Sequence, residues 1–198
     1  VVYKDTLTVI IPIRNRDAHL EKLLPKIYSL LEYQNIKFNI LIIEQKHGKL
    51  FNKGKLNNTG FLEAINTYSP KHVLFTDVDN IPMHNDTYIV ELFNNLLFKH
   101  YYGYSTCLGG IFSCNIETFY KVNGFSNSYW GWGQEDDDLN MRARILEIPV
   151  DRSDLLEINS YNRIIRSNQA LDNGILDIET FITEREKHGS RDKPINYN

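Results

Sequence analysis

The densest group of potentially chemical side chains lies in residues 129–138, which read YWGWGQEDDD. Two tryptophans, two glycines and four consecutive carboxylates occur in this run. Indole faces stack on sugar rings, glycine lets the backbone move or approach a ligand, and adjacent carboxylates raise one another's pKa until one can act as a base. The combination indicates carbohydrate chemistry. A purely structural role for this run is hard to explain, because four adjacent acids repel one another and we expect them to bury little.

A second acidic motif, Asp77-Val78-Asp79, follows the apolar residues 73–76. A carboxylate at the end of a buried strand can bind Mg²⁺ or Mn²⁺ together with a diphosphate, since these cations prefer hard oxygen ligands. An isolated Asp-x-Asp is more often a solvated acidic turn. Its place after a strand and ahead of the tryptophan-rich run favours a ligand site.

The elements that must position these groups alternate between strand and helix. Apolar, β-branched runs predict strands at residues 7–13, 38–43 and 73–76, and apolar spacings of three and four predict helices capped by Asp17 and over residues 56–65. This order predicts a parallel, doubly wound α/β sheet whose ligand lies at the carboxyl ends of the strands. Further helices are predicted at 88–98, 117–122, 136–146 and 179–187, and an extended segment at 105–113.

Composition limits the protein class. With 198 residues, 42% of them hydrophobic, the chain is most simply one domain. A net charge of −3 and a pI near 6.1 offer no basic surface, so we expect no nucleic-acid partner. The same values disfavour a metal-dependent nuclease. Two cysteines are too few for a disulfide scaffold.

Several short motifs occur in one order along the chain: IPIRNR at 11–16, FNKGKL at 51–56, DVDNIP at 77–82, Gly109-Gly110, NGF at 123–125 and the tryptophan-rich acidic run. Together they resemble the β-1,4-galactosyltransferase family of inverting glycosyltransferases, family 7, with its N-acetylgalactosaminyltransferase relatives. The resemblance covers about residues 7–148, and residues 150–198 match poorly.

The resemblance implies a fold, a reaction and its ligands. The fold would be the nucleotide-diphospho-sugar transferase type, GT-A, with a Rossmann-like, mostly parallel sheet flanked by helices. Residues 1–198 would form one catalytic domain. It would use Mn²⁺ or another divalent cation to move Gal or GalNAc from a UDP-sugar to a saccharide or glycoconjugate acceptor. A catalytically weak sugar- or nucleotide-binding module of the same fold is the alternative.

The resemblance also implies site residues. Asp136 would be the general base and Glu135 would read the donor sugar hydroxyls. Asp79 and His188 would bind the metal, although His188 lies farther along the chain than the family places its histidine and could belong to a tail. Acceptor contacts would come from Trp130, Trp132 and Asp137, with Trp130 equally explained as a core residue. The nucleotide sugar would contact Pro12, Arg14, Arg16, Phe51, Lys53, Asp77, Val78, Cys107, Gly109, Gly110 and Trp132.

Two of these positions depart from the family pattern. Lys53 stands where the family has arginine, so it would attract the diphosphate without bidentate geometry. Cys107 stands where the family commonly has a tyrosine beside the donor's C2 substituent. Because cysteine leaves room for an acetamido group, the sequence predicts that UDP-GalNAc is used at least as well as UDP-Gal.

Location in the cell is predicted from what the sequence lacks. No run approaches the roughly 20 apolar residues of a membrane span, and the first residues lack a signal-peptide layout. Sequons begin at Asn57 and Asn85, and a glycan on Asn57 would obstruct the donor site. We expect no membrane span in this chain and a cytoplasmic location. The Golgi lumen, with an N-terminal anchor preceding this sequence, is the alternative.

Overall fold

The structure is a computed structural model that describes residues 6–131, 133–158 and 164–166. Its first half alternates as predicted: β1 (Thr6–Ile13), α1 (Asp17–Tyr33), β2 (Lys37–Glu44), α2 (Lys53–Tyr68) and β3 (His72–Thr76). The strand β1 lies between β2 and β3 and pairs with both in parallel. Asp17 opens α1 as its first residue, while Arg16 occupies the N-cap position and makes no side-chain cap.

The second half extends the sheet. It contains β4 (Asn80–Pro82), β5 (Phe98–Gly103), β6 (Ile111–Asn115), α3 (Ile116–Lys121), α4 (Glu135–Ile145), β7 (Val150–Asp151), β8 (Leu156–Glu157) and β9 (Ile164–Arg166). The strand order is β2-β1-β3-β6-β5-β7, with β8 also paired to β5. Only β6 runs antiparallel to its neighbours in this sheet, which confirms the mostly parallel α/β prediction. A small second sheet joins β4 to β9.

Alternate side chains of β1 divide the core between the two faces of the sheet. Leu7, Val9 and Ile11 pack on the face that α1 covers, while Ile10 packs with Phe75 and the residues of α2, α3 and α4. Such two-sided burial explains why the strand reads as a continuous apolar run. Within the described ranges, no helix is long and apolar enough to cross a membrane.

The helix predicted over residues 88–98 is wrong. Gln34, just after α1, donates to the carbonyl oxygen of Tyr88 (2.8 Å) and accepts from the amide of Val90 (2.9 Å). Gln34 thus satisfies the Tyr88 carbonyl oxygen, which a helix would pair internally, and holds Val90 beside the end of α1, and the segment stays irregular until β5 begins at Phe98.

The segment predicted as extended over residues 105–113 divides in two. Strand β6 begins only at Ile111, and residues 104–110 form a tight turn between β5 and β6, hereafter the β5–β6 loop. The helices predicted at 117–122 and 136–146 are present as α3 and α4. The helix predicted at 179–187 lies outside the described residues.

Candidate nucleotide-sugar site

The sequence-predicted residues gather at the carboxyl ends of the parallel strands. Arg14 and Arg16 follow β1, and Asp77 and Asp79 follow β3. The amino-terminal ends of α2 and α4 reach the same region, because Lys53, the first residue of α2, contacts both Asp77 and Glu135, the first residue of α4. The doubly wound topology thus brings four chain segments to one place.

A partly buried ion-pair cluster joins three of these segments. The Lys53 ammonium lies 2.8 Å from Oδ1 of Asp77 and 3.5 Å from Oε1 of Glu135. Although burial disfavours the ammonium, the carboxylates of Asp77, Glu135 and Asp136 raise the pKa of Lys53 well above its usual value. Lys53 therefore stays charged, and it neutralises the carboxylates around it.

The four consecutive acids at the start of α4 have different surroundings. Glu135 and Asp138 are buried, Asp136 is half-buried and Asp137 is exposed. Asp138 accepts two hydrogen bonds from Arg142, of 2.9 and 2.6 Å. The expectation that this run buries little is therefore wrong, because the helical spacing of four places a guanidinium beside Asp138.

The Asp138–Arg142 pair anchors α4 to the loop before it. Nη1 of Arg142 donates to the carbonyl oxygens of Val122 and Gly124, the second at 2.6 Å. Arg142 is 6% exposed, so these contacts satisfy a buried charge. The pair fixes the start of the helix that carries the remaining carboxylates.

Glu135 has an unusual protonation equilibrium. Burial raises the pKa of its carboxyl to about 7, and the neighbouring Asp136 and Asp77 add to the rise while Lys53 opposes it. Near neutral pH the residue therefore exists in both forms, so it can either donate to or accept from a ligand hydroxyl.

Asp136 lies directly against the glycine pair. A Cβ built on Gly109 would collide with Oδ2 of Asp136, so the carboxylate occupies space that any side chain would fill. Oδ1 accepts from the amide of Asp137 (3.0 Å), and the Asp136 carbonyl oxygen accepts from the amide of Leu108 (3.1 Å). Gly109 thus lets the β5–β6 loop dock on α4 beside the candidate base.

The β5–β6 loop carries Cys107, whose thiol faces Asp136. Burial, followed by the charge of Asp136, raises the pKa of Cys107 to about 12, so the thiol stays protonated. The Cys107 carbonyl oxygen accepts from Arg152 (3.1 Å), which also donates to Asn140 (2.9 Å). The sequence analysis did not identify Asn140 or Arg152 as site residues. Asn140 lies one helical turn after Asp136, so its helical spacing was a usable signal.

On the other side of the site, Arg14 and Phe51 contact each other. The Arg14 guanidinium lies 5.4 Å from the Phe51 ring centroid and donates to the carbonyl oxygen of Lys49 (2.6 Å). Trp130 stacks over the Lys49 ammonium at 5.7 Å rather than entering the core. The amide of Gly131 donates to the Phe51 carbonyl oxygen (2.7 Å), so the tryptophan-bearing segment touches the residues just before α2, near Arg14.

Arg16 offers a donor suited to an anion. Its Nη1 is buried and has no hydrogen-bond partner among the described residues. His19, on the first turn of α1, is 4% exposed and is close enough for Arg16 and Asp79 to shift its pKa, which burial lowers. Sequence reading missed His19, although its position three residues after Arg16 places it at the same end of β1.

The remaining predicted residues fall into two groups. Pro12 and Val78 are buried at the strand ends, so only their backbone groups could contact a ligand. The Gly110 carbonyl oxygen accepts a hydrogen bond from the Asp77 amide (3.2 Å). Trp132 and His188 lie outside the described residues. In the described ranges, no group of three or more His, Cys, Asp or Glu side chains could hold a metal.

Comparison with known proteins identifies the family. The family described as the N-terminal region of glycosyl transferase group 7 matches residues 2–91, and the one described as the N-terminal domain of galactosyltransferase matches residues 93–167. This chain belongs to glycosyltransferase family 7. Human β-1,4-galactosyltransferase 4 is 36% identical over 172 residues, which cover 81% of this chain and 48% of the human protein. The chain thus spans about half the length of this curated relative.

A second family 7 relative carries a different name. The Lymnaea stagnalis β-N-acetyl-D-glucosaminide β-1,4-N-acetylglucosaminyl-transferase is 39% identical over 155 residues, covering 74% of this chain and 32% of the snail protein. The family therefore contains relatives at similar identity whose names specify different transferred sugars.

Solved family 7 structures confirm the GT-A fold. The catalytic domain of Drosophila β1,4-galactosyltransferase 7, in complex with xylobiose, superposes with a TM-score of 0.78 at 25% identity. The superposition covers 96% of this chain and 82% of the fly chain. A mutant of the fly enzyme, in complex with manganese, UDP-Gal and xylobiose, gives a TM-score of 0.74 at 24% identity, covering 85% and 74% of the two chains.

Family membership corrects the expected location. The cytoplasmic prediction is wrong, because β-1,4-galactosyltransferases are Golgi enzymes. Asn57, whose sequon supported the prediction, lies inside α2 and is 1% exposed in the folded protein.

Proposed function

We propose that this chain forms one catalytic domain of a metal-dependent inverting glycosyltransferase, which moves Gal or GalNAc from a UDP-sugar to a saccharide hydroxyl. The observation that carries the proposal is the meeting of Asp136 with Gly109 beside the Lys53, Asp77 and Glu135 cluster. It supports the proposal because a carboxylate that could act as a base lies next to polar groups able to hold a donor sugar.

Asp136 acts as the base in a direct displacement. Its carboxylate takes the proton of the acceptor hydroxyl while that oxygen forms a bond to the anomeric carbon. The bond between this carbon and the β-phosphate oxygen breaks, UDP leaves with the electron pair, and the configuration inverts. The amide of Asp137 and the close approach of Gly109 hold the carboxylate still during this step.

The donor lies between the two arginines and the ion-pair cluster. Arg14 and Arg16 attract the diphosphate, and the buried Nη1 of Arg16, which has no hydrogen-bond partner in the described part of the chain, fits that role. Asp77 and Glu135 meet the sugar hydroxyls, with Lys53 keeping their summed charge low beside the anionic donor. The remaining contacts to the donor come from backbone groups, those of Pro12, Phe51, Val78 and Gly110.

A divalent cation such as Mn²⁺ would be held through Asp79. Asp79 supplies a hard carboxylate oxygen after β3, while the neighbouring Asp77 is already paired with Lys53. His188 is the residue proposed as a further ligand. When bound, the cation offsets charge on the diphosphate leaving group. The fly relative crystallised with manganese and UDP-Gal supports this assignment.

Acceptor binding falls to the tryptophan-bearing segment and the exposed acid of α4. Trp130 and Trp132 offer faces for sugar rings, and Asp137 can accept hydrogen bonds from acceptor hydroxyls. The relative crystallised with xylobiose supports a saccharide acceptor.

Donor choice depends on Cys107. Its small side chain beside Asp136 leaves room for the acetamido group of UDP-GalNAc. The snail relative, named for transfer of an N-acetylated sugar, supports this reading. A single misfit in such a pocket is worth roughly 1 to 3 kcal/mol, so both donors remain substrates.

A binding module without turnover is the second candidate, favoured by the lack of a three-residue metal cluster in the described ranges. Release of UDP from UDP-Gal and UDP-GalNAc, measured with Mn²⁺, with EDTA, and with and without a saccharide acceptor, separates the two. Acceptor-dependent release that EDTA abolishes supports the enzyme. Binding of UDP-sugar without release under any condition supports the module.

A further inference from the structure

One buried histidine outside the predicted site ties together both ends of the β5–β6 loop. His100 lies on β5 and is 0% exposed. Its Nε2 is 2.8 Å from the Gly109 carbonyl oxygen and 3.1 Å from the Tyr102 carbonyl oxygen. Since both partners are acceptors, this nitrogen carries the proton and donates to both.

The ring holds one tautomer. Nδ1 is also buried and has no hydrogen-bond partner in the described part of the chain, so a proton there would meet no acceptor. Burial lowers the pKa of His100 to about 4. The neutral Nε2–H form therefore persists across the neutral pH range, and the double donation persists with it.

The bridged backbone is unusually close. Gly103 ends β5 with φ of 149°, and a Cβ there would lie 2.6 Å from the Gly109 carbonyl oxygen and 2.7 Å from Nε2 of His100. The pairing of β5 with β6 also shifts register between His100 and Tyr102. The imidazole thus fills the opening where the β5–β6 loop leaves the sheet.

What the loop carries gives this bridge a functional consequence. Cys107 lies in the loop, and Gly109 supports the Asp136 carboxylate. The amide of Leu108 donates to the Asp136 carbonyl oxygen (3.1 Å), which docks the loop on α4. The Gly109 carbonyl group is therefore connected, through the loop and its bond to α4, to the positions of Cys107 and Asp136.

We propose that His100 is a positioning residue that closes the β5–β6 loop by donating one N–H to Tyr102 and Gly109, and that this closure sets the donor pocket. The inference rests on the proposed transferase function for its kinetic consequence. Its structural consequence, docking of the loop on α4, is independent of turnover.

Two substitutions separate donation from filling of space. His100→Gln keeps an N–H donor, and His100→Met keeps a similar volume without one. His72→Met is the matched control, because His72 is 2% exposed and its Nε2 lies 2.7 Å from the Phe93 carbonyl oxygen, away from the site. All three variants are measured in the full chain, after a check of folded fraction by circular dichroism.

The first readout is kinetic. We expect His100→Met to lower kcat/KM for UDP-sugar roughly 10- to 100-fold, since two buried carbonyl groups lose their donor. It should also bring the ratio of kcat/KM for UDP-GalNAc to kcat/KM for UDP-Gal closer to one. His100→Gln should stay within about fivefold of wild type and keep that ratio. Equal kinetics for the Gln and Met variants would reduce His100 to a packing residue and overturn the proposal.

The second readout is amide hydrogen exchange at Cys107 and Leu108. We expect faster exchange there in His100→Met, with wild-type rates in His100→Gln and His72→Met. If the wild-type protein releases no UDP, the transferase proposal fails and exchange alone decides the role of His100. Unchanged exchange in His100→Met would overturn the role whatever the kinetics.

Discussion

Lys53→Met removes the ammonium group that forms ion pairs with Asp77 and Glu135. Both carboxylates then lose this ion-pair partner. Breaking a buried ion pair by deleting one partner costs about 3 to 5 kcal/mol. The side chain of Asp77 is 28% exposed and that of Glu135 9%, so water offsets part of this cost. We expect a loss of about 2 to 4 kcal/mol in the free energy of unfolding at pH 8.

The loss should depend on pH with a definite sign. The pKa of Glu135 in the folded protein is about 7, above its ordinary value of 4.5, and removal of Lys53 raises it further. A group with a raised folded pKa stabilises the protein below its unfolded pKa and loses that contribution as pH rises through the folded pKa. Glu135 is therefore neutral at pH 5.5, and the loss in Lys53→Met should be smaller there by roughly 1 to 2 kcal/mol.

Chemical denaturation at pH 5.5 and pH 8 measures this difference. Lys53→Arg retains the charge and should recover most of the stability, whereas Lys55→Met removes an exposed lysine of the same helix and should change it by less than about 0.5 kcal/mol. Equal stability of Lys53→Met and wild type at pH 8 would refute the cluster as a source of stability. A loss that does not vary with pH would refute the role given to Glu135.

Four further substitutions test the proposed chemistry. Asp136→Asn should lower kcat by roughly 10² to 10⁴ and leave UDP-sugar affinity within a few-fold, as checked by calorimetry; near-normal turnover would remove Asp136 as the base. Gly109→Ala should lower kcat by at least roughly tenfold, because its Cβ collides with the Asp136 carboxylate, and an unchanged rate would contradict that contact. Asp79→Ala should abolish the Mn²⁺-dependent thermal shift produced by UDP-sugar, and a retained shift would place the metal elsewhere. Cys107→Tyr should move the kcat/KM preference towards UDP-Gal. A strict UDP-Gal preference in the wild type, unchanged by the substitution, would refute the proposal that Cys107 leaves room for the acetamido group.

Local pattern was enough to predict the first half of the fold. The residues of β1 and β3 are buried on both faces, so their apolar runs identify them without tertiary information. The capping of α2 by Asn52 and of α3 by Asn115 follows the same local chemistry. Elements whose signals are local were therefore predictable from the sequence.

Residues 88–97 show where local pattern fails. Their backbone groups bond to side chains that are distant in sequence: Gln34 contacts Val90, and His72 contacts Phe93 from the middle of the sheet. Such partners are fixed only once α1 and β3 have packed. The apolar spacing of this segment therefore mimics a helix, although tertiary contacts determine its conformation.

The candidate site shows the same division. Its acids could be located from their order in the chain, and the Asp138–Arg142 pair was predictable from the helical spacing of four. The contact of Lys53 with Asp77 and Glu135 was not, because it requires α2, β3 and α4 to converge. A lysine at this position predicted attraction to phosphate, whereas in the structure its nearest charges are carboxylates.

Helix geometry explains how four adjacent acids can take separate roles. Successive residues of α4 point about 100° apart, so Glu135 reaches Lys53, Asp136 reaches Gly109, Asp137 faces solvent and Asp138 turns back to Arg142. Two of the charges are offset by cations from other positions, which removes most of the repulsion that the sequence suggests. Asp136 lies against Gly109 instead, and its charge acts on Lys53 from there. The four consecutive acids are thus compatible with a stable helix because their side chains point to different partners, and the proposal that Asp136 acts as the base requires only one of the four to face the acceptor.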